Sequence, residues 1–172
     1  MRSILISLFL FFYGYAVVRY HLGKNVPWSD WYFILNKGFA WMGFTLVALT
    51  LLKEKTLNKI SLSRRSLGLI GYFFLIAHVV SNLLLFNERH FPKLYHNGVI
   101  SSSGWIAIIL GIMAFVVFTL PLVATLKNFP STSKYFRLGK IGVLTSIFHP
   151  TIIGFAGWLK PGTWPYSLPP IT

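Results

Sequence analysis

The sequence predicts an all-α fold, a polytopic transmembrane bundle of about five helices, and two observations favour it. Hydrophobic residues make up 55% of the 172 residues and charged residues only 11%, which leaves too few charges to cover the surface of a soluble domain of this length. Several apolar runs also reach the roughly 20 residues that a helix needs to cross a bilayer. We therefore expect residues 1–172 to form a single transmembrane domain surrounded by lipid.

The first two helices are predicted over residues 4–18 and 33–52. A basic residue precedes the first apolar segment, so a cleaved signal peptide is the alternative. We interpret the segment as an uncleaved helix, because no small-residue cleavage site follows it. The aromatic sequence "WSDWY" before the second segment is typical of the membrane interface, and Lys37 near the start of that helix is expected to extend toward the lipid headgroups.

Three more helices are predicted over residues 66–86, 104–126 and 141–159. The serines of "SSSG" at the start of the fourth helix are expected to cap its first turn, and Pro121 is expected to bend that helix near its end. No separate soluble domain and no low-complexity segment interrupts this series.

The charges are strongly biased, with 16 lysines and arginines against 3 acidic residues. The loops 53–65 and 127–140 carry most of this excess, and such loops face the cytoplasm in most membrane proteins. This places the N-terminus in the cytoplasm. Neither a basic helix nor an RNA-binding signature is present, so nucleic acid is not an expected partner.

The residue types exclude several kinds of chemistry. Since the chain has no cysteine, disulfides, iron–sulfur clusters and covalently attached c-type haem are ruled out. The three acidic residues all lie in or beside loops, so we expect neither a carboxylate pair for acid–base catalysis nor a proton relay inside the membrane. Histidine is the residue type left for metal chemistry.

Two of the five histidines, His78 and His149, lie inside apolar helices. The helices that carry them both leave the cytoplasm and therefore run parallel. Each histidine follows the nearest inner arginine, Arg65 or Arg137, by about 18–20 Å of helix, so the two imidazoles are expected at the same depth. A b-type haem between two helices needs such a pair of ring nitrogens. The alternative is that each ring bonds a backbone carbonyl or a hydroxyl within the bundle.

Neighbouring residues are compatible with both interpretations. Glycines on the same two helices either leave room for a macrocycle or pack the helices closely; they are Gly68, Gly71, Gly142, Gly154 and Gly157. Pro150 either aims the His149 imidazole inward or makes an ordinary kink. The remaining histidines are expected in the outer loops at the level of the headgroups; they are His21, His90 and His96.

Three stretches resemble a known family. "RRSLGLIGYFFLIAH", the preceding "GFAWMGFTLVALTLL" and the later "RLGKIGVLTSIFHP" are similar to the ferric reductase-like transmembrane domain superfamily, and within it to the small bacterial membrane haem subunits of the MsrQ/YedZ type. The likeness covers roughly residues 35–160, the expected haem-binding core. It implies a cytochrome b-like protein whose haem iron is ligated by His78 and His149, and which passes electrons to metal chelates, oxygen or a partner enzyme.

Departures from the family pattern refine this expectation. Family members often carry a further histidine at the place of Gly162, so one haem is expected here. No flavin or nicotinamide domain follows the helices, so electrons would come from a quinone, or from a flavin in a partner protein. The resemblance thus implies the electron-transfer component of an oxidoreductase and not a complete enzyme. The small size, the five helices in place of six and the missing histidine favour the alternative, a haem-free structural or accessory subunit of a larger membrane complex.

The basic residues at the inner helix ends have two possible partners. Haem propionates are one, and anionic lipid, which we prefer, is the other; the residues are Arg64, Arg65, Arg137 and Lys140. A transporter is not indicated, because the sequence shows no inverted repeat and no acidic residue at the membrane midplane.

Overall fold

The computed structural model describes residues 2–52, 54–59, 63–129 and 134–170, and this part of the chain is helical apart from loops and one short hairpin. The elements in chain order are α1 (Arg2–Ala16), α2 (Trp31–Leu49), α3 (Glu54–Lys59), α4 (Arg64–Leu85), β1 (Tyr95–His96), β2 (Val99–Ile100), α5 (Ser102–Leu126) and α6 (Lys134–Trp158). β1 and β2 form an antiparallel pair in the connection between α4 and α5.

Five helices are long and apolar enough to cross a membrane, which confirms the predicted all-α transmembrane fold. Their spans are Ser3–Leu22, Trp28–Leu49, Arg64–Leu85, Ser102–Leu126 and Lys134–Trp158. The first span is longer than α1 because the chain continues as a π-helix over Val17–Leu22. The protein is therefore an integral membrane protein, and its large exposed apolar side chains face a lipid environment.

The helix ends differ from the prediction mainly at α6. This helix begins at Lys134, seven residues before the predicted start, because the basic and aromatic sequence "KYFRLGK" remains helical beyond the apolar core. The short α3 lies in a region predicted only as a basic loop. Parts of both basic loops, residues 53, 60–62 and 130–133, lie outside the described residues.

Serine caps fix the start of two spans. The Ser101 hydroxyl accepts a hydrogen bond from the Gly104 amide at 3.0 Å, which confirms the cap predicted for α5. Ser63 caps α4 in the same way through the Ser66 amide at 3.1 Å. Each bond satisfies a backbone donor that the first turn of a helix otherwise leaves free.

The long helices pack mainly as two antiparallel pairs, α2 with α4 and α5 with α6, while α1 lies against α2. A shared apolar cluster joins the pairs; it comprises Val47, Tyr72, Ala114, Phe118 and Val143. A hydrogen bond of 2.6 Å between the Tyr72 and Thr119 hydroxyls connects α4 to α5 inside this cluster. The bundle core is thus built from all four of these helices.

The two ends of the bundle differ in what covers them. One end carries the basic connections 50–63 and 127–133, and we call it the loop end. The other carries the connections 23–30 and 86–101 together with the segment 159–170, and we call it the tail end. At the tail end the Tyr15 hydroxyl donates to the Pro169 carbonyl at 2.6 Å and the Trp158 indole donates to the Pro170 carbonyl at 3.1 Å. This segment, the tail, therefore crosses from α6 to α1.

Candidate functional site

His78 lies on the face of α4 that packs against α2. Its Nδ1 is 2.7 Å from the side-chain oxygen of Asn36 on α2, and its Nε2 is 3.0 Å from the side-chain nitrogen of Asn82, one helical turn further along α4. Asn36 is fully buried. Both ring nitrogens of His78 therefore have a polar partner inside the apolar bundle.

These three side chains form a closed cycle of hydrogen bonds, because the Asn36 amide nitrogen also donates to the Asn82 side-chain oxygen at 2.7 Å. With the amides in this orientation, His78 is a neutral imidazole that donates from Nδ1 and accepts at Nε2. Each polar atom of the cycle is paired, which removes the large cost of an unpaired polar group in hydrocarbon. We refer to Asn36, His78 and Asn82 as the amide–histidine cycle.

His149 lies on α6 and faces α5. Its Nδ1 donates to the Ala107 carbonyl at 2.7 Å. The ring lies against Gly111, where a β-carbon would stand only 3.0 Å from Nδ1, so the absence of a side chain at Gly111 makes room for the imidazole. Among the described residues, no hydrogen bond to Nε2 of His149 is formed. Pro150 lies inside α6, which continues to Trp158.

The fold brings the two predicted histidines into one region. α4 and α6 are separated by a single span, so they run in the same direction through the membrane. His78, His149 and Lys37 lie within electrostatic range of one another. The Lys37 ammonium group lies 4.9 Å from the centre of the Phe33 ring and 5.2 Å from that of Phe91 in the connection after α4, so the side chain extends toward the tail end, and Lys37 is only 8% exposed. Its extension to the lipid headgroups stays a prediction.

The glycines near the histidines serve helix packing. A β-carbon at Gly71 would stand 2.9 Å from a methyl group of Val47 on α2, and one at Gly142 would stand 2.7 Å from the Phe118 ring on α5. Gly154 faces the indole of Trp158 in the same helix. These contacts favour close packing of the helices, the second of the two roles considered for the glycines.

The double arginine at the start of α4 binds two neighbouring helix ends. Arg64 donates to the Leu52 carbonyl after α2 at 2.7 Å, and Arg65 donates to the Asn128 side chain after α5 at 3.0 Å. Arg137 and Lys140 are exposed on α6. The pair thus fixes the loop end of α4, while contact of these residues with lipid remains a prediction.

The other three histidines lie at the tail end; His90 and His96 are in the connection after α4, whereas His21 lies in the last turn of the first span, Ser3–Leu22, and not in the loop after it. His21 donates from Nδ1 to the Val26 carbonyl at 2.7 Å, and its ring centre lies 4.1 Å from that of Trp28. His90 lies 3.9 Å from the Asp30 carboxylate. His96 is in β1 and is exposed. In the described part of the chain, no three residues of the His, Cys, Asp or Glu type come together as a metal site.

A haem held by two histidines would place two requirements on these residues, one at Nδ1 and one at Nε2. A ligating histidine usually donates its Nδ1 hydrogen to a carbonyl or carboxylate, which fixes the ring and leaves Nε2 for the metal. His78 and His149 both meet this condition at Nδ1, through Asn36 and Ala107. At Nε2, His149 presents its lone pair, whereas His78 accepts from Asn82. His149 therefore meets both conditions, whereas Nε2 of His78 becomes available to a metal only when the Asn82 side chain turns away from the ring.

The sequence reasoning missed Asn36 and Asn82. Both amides lie inside apolar segments, where polar side chains are rare and usually have a partner. Asn82 also follows His78 by four residues, the spacing that puts two side chains on one face of a helix. Those two signals could have identified Asn82 as a partner of His78. The pairing with Asn36 could not be found in this way, because it depends on how α2 packs against α4.

Comparison with known proteins gives no match: no protein-family model, no curated protein and no solved structure is similar to this chain. The likeness to ferric reductase-like domains therefore rests on the three quoted stretches and stays a prediction. A proposal about function has to be built on the geometry around His78 and His149.

Proposed function

We propose that this protein is a membrane electron-transfer subunit that would carry one b-type haem, held by His78 on α4 and His149 on α6. The observation that supports it is the arrangement at Nδ1, where each ring is held by an oxygen acceptor on a neighbouring helix, at 2.7 Å in both cases. When bound, the haem would supply reversible one-electron chemistry.

The contribution of the chain is to orient the two rings. Asn36 on α2 and the Ala107 carbonyl on α5 hold the hydrogen on Nδ1 of His78 and His149, so that Nε2 carries the lone pair. An apolar cluster around Tyr72 and Phe118 packs the same helices together. A haem held by both histidines would supply one-electron transfer, which fits one component of an oxidoreductase in a bacterial inner membrane.

Electrons would then enter and leave through partners. The donor would be a quinone or a flavin held by another protein, and the acceptor a redox partner protein or a metal chelate. Asp30, Glu54 and Glu88 are the acidic residues of the chain, and none lies beside His78 or His149, so the site offers no carboxylate to carry protons along with the electrons.

The test is an optical spectrum of the purified protein from haem-replete cells, recorded as reduced minus oxidised. We expect the Soret and α bands of a b-type haem in the native protein, and their loss in both His78→Ala and His149→Ala. His96→Ala is the matched control, because His96 is an exposed histidine outside the spans, and it should keep the bands. The absence of b-type bands in the native protein would rule the proposal out.

A second candidate is a haem-free accessory subunit of a larger membrane complex. The closed amide–histidine cycle favours it, because the cycle leaves no free nitrogen on His78 and connects α4 to α2. In that case the native protein has no haem bands, and His78→Ala still lowers the thermal midpoint of unfolding. Unfolding curves measured on the samples used for the spectra separate the two candidates.

A further inference from the structure

Four cationic side chains converge at the tail end of the bundle, three of them around the ring of Tyr20. The Lys24 and Lys37 ammonium groups lie 5.2 and 5.8 Å from the ring centre, and the Arg19 guanidinium lies 6.0 Å from it. Lys93 is within electrostatic range of Arg19 and Lys24. These cations come from three separate parts of the chain, and we call them the tail-end cations.

Two of the tail-end cations are buried and incompletely paired. Arg19 is 3% exposed; its guanidinium donates to the Leu168 carbonyl in the tail, but its Nε is buried without a hydrogen-bond partner. Lys37 is 8% exposed, and its ammonium group is surrounded by the rings of Tyr20, Phe33 and Phe91. Within the described residues, Lys37 makes no hydrogen bond and no ion pair.

The other two tail-end cations form an open rim. Lys24 and Lys93 both reach the surface. The pKa of both ammonium groups is lowered, first by the partial burial of the side chains and second by the nearby Arg19 charge. Lys93 reaches over the end of α6, where its Nζ would stand 3.7 Å from a β-carbon at Gly157. The arrangement thus has a buried floor, Arg19 and Lys37, and a rim that solvent reaches.

No acidic side chain compensates this charge. The chain has three acidic residues. Asp30 pairs with Arg89 at 2.8 Å, while Glu54 and Glu88 are exposed in connections outside the spans. Burying like charges together without a counter-charge is strongly unfavourable, so the described residues leave a place for an anion.

We propose that the tail-end cations bind a phosphate group, with the Arg19 Nε–H and the Lys37 ammonium as donors from below and Lys24 and Lys93 from the rim. A guanidinium combined with ammonium groups is the usual donor set for phosphate. The position also fits, because Arg19 lies near the end of the first span and the Lys37 ammonium group lies 5.2 Å from the centre of the Phe91 ring in the tail-end connection, at the end of the bundle where a headgroup phosphate meets the protein. The phosphate comes from a phospholipid headgroup or from free phosphate, and binding does not depend on haem.

The test compares the thermal midpoint of the purified native protein in three conditions. They are sodium chloride, sodium phosphate at equal ionic strength, and sodium chloride with added short-chain phosphatidylglycerol. A ligand that binds the folded state raises the midpoint in proportion to its saturation. A rise with sodium phosphate supports a free-anion site, a rise with phosphatidylglycerol alone supports a headgroup site, and no rise with either overturns the proposal.

Variants connect the rise to the site. For Lys37→Met we expect an apparent affinity lower on the order of tenfold to a hundredfold, as for the loss of a hydrogen bond to a charged group. Lys93→Met changes an exposed residue, leaves the buried floor intact and should lower the affinity by a smaller factor. It provides the test if Lys37→Met does not fold. Lys160→Met is the control, because Lys160 is an exposed lysine at the same end of the bundle. Equal affinities in the native protein, Lys37→Met and Lys93→Met would contradict the proposal.

Discussion

The His78 ring is hydrogen-bonded through both nitrogens, so each partner amide can be removed separately with a different consequence. Asn36 holds Nδ1 from α2, and Asn82 holds Nε2 from α4 itself. If the ring only stabilises the fold, the two amides are equivalent. If it ligates a metal, they differ, because Asn36 orients the ligand while Asn82 occupies the position of the metal.

We predict that Asn36→Leu and Asn82→Leu each destabilise the haem-free protein by about 1–2 kcal/mol, because each leaves one ring nitrogen and one amide group unpaired in an apolar region. Chemical unfolding in detergent measures the change. Thr145→Val is the control, since the Thr145 hydroxyl donates to Ile141 within its own helix; its effect should be much smaller. Equal stability of all three variants would show that the cycle contributes nothing to folding.

Haem content then separates the roles of the two amides. Asn36→Leu should lower the haem affinity by roughly 10- to 100-fold, as the loss of an outer-shell partner does. Asn82→Leu should keep or raise it, because it frees Nε2 of His78. Haem titration of both variants gives the comparison. A larger loss in Asn82→Leu than in Asn36→Leu would contradict His78 as a ligand.

The rim lysines give a prediction about pH. Partial burial lowers the pKa of Lys24 and Lys93 in the folded protein below the ordinary value of 10.5. The folded state therefore loses these protons at a lower pH than the unfolded state, and the free energy of unfolding rises with pH from the lowered pKa values up to 10.5. Unfolding in phosphate-free chloride buffers measures this rise. The rise in the free energy of unfolding should be smaller in a Lys24→Met, Lys93→Met double variant. A fall in the native protein over this pH range would contradict the prediction.

At the scale of elements, the contact between α2 and α4 depends on glycine. A β-carbon at Gly71 would stand 2.9 Å from a methyl group of Val47 and 3.0 Å from the β-carbon of Leu46. Neither neighbour is the mobile end of a long side chain, so the helices would have to move apart. This contact also sets the distance between His78 and Asn36, which lie further along the same two helices.

We therefore predict that Gly71→Ala destabilises the protein by about 1–3 kcal/mol through overpacking. Gly14→Ala is the matched control, because Gly14 lies in α1 with no atom within 4 Å of its would-be β-carbon, and alanine favours a helix over glycine by up to about 1 kcal/mol. Thermal unfolding of both variants measures the effect. Equal midpoints for Gly71→Ala and the native protein would mean that α2 and α4 are free to separate.

The elements were the most predictable level of this protein. Five apolar runs were enough to predict five spans, since length and hydropathy decide whether a helix crosses a membrane. The Ser101 cap also followed from local sequence. The early start of α6 at Lys134 was missed because hydropathy marks the apolar core of a helix and not its polar first turns.

At the scale of the whole molecule, the charge bias predicts orientation. We expect the loop end in the cytoplasm and the tail end on the opposite side. The native chain has no cysteine, so single cysteines report position cleanly. The cells are first freed of their wall and of any outer membrane, with the cytoplasmic membrane left intact. An impermeant maleimide should then label Glu88→Cys at the tail end, and should label Thr56→Cys at the loop end only after permeabilisation. The reverse pattern would invert the orientation.

The tail-end cations show what the sequence alone could not predict. Arg19, Lys37 and Lys93 are far apart in the chain, and each one alone fits the ordinary behaviour of a basic residue at a membrane interface. Only the packing of α1 against α2, with the tail placed over both, buries Arg19 and Lys37 next to the same ring. The pairing of Asn36 with His78 could not be predicted from the sequence either, because it depends on how α2 is aligned along α4.

The tail also has a consequence for the order in which the molecule is made. Tyr15 and Arg19 donate to the Pro169 and Leu168 carbonyls, which are synthesised only after α6. Until those carbonyls are made, the Arg19 guanidinium lacks this partner. The first helix is thus held in its final place by a segment translated after all five spans, and a block in translation before that segment would leave an inserted bundle whose tail end is still open.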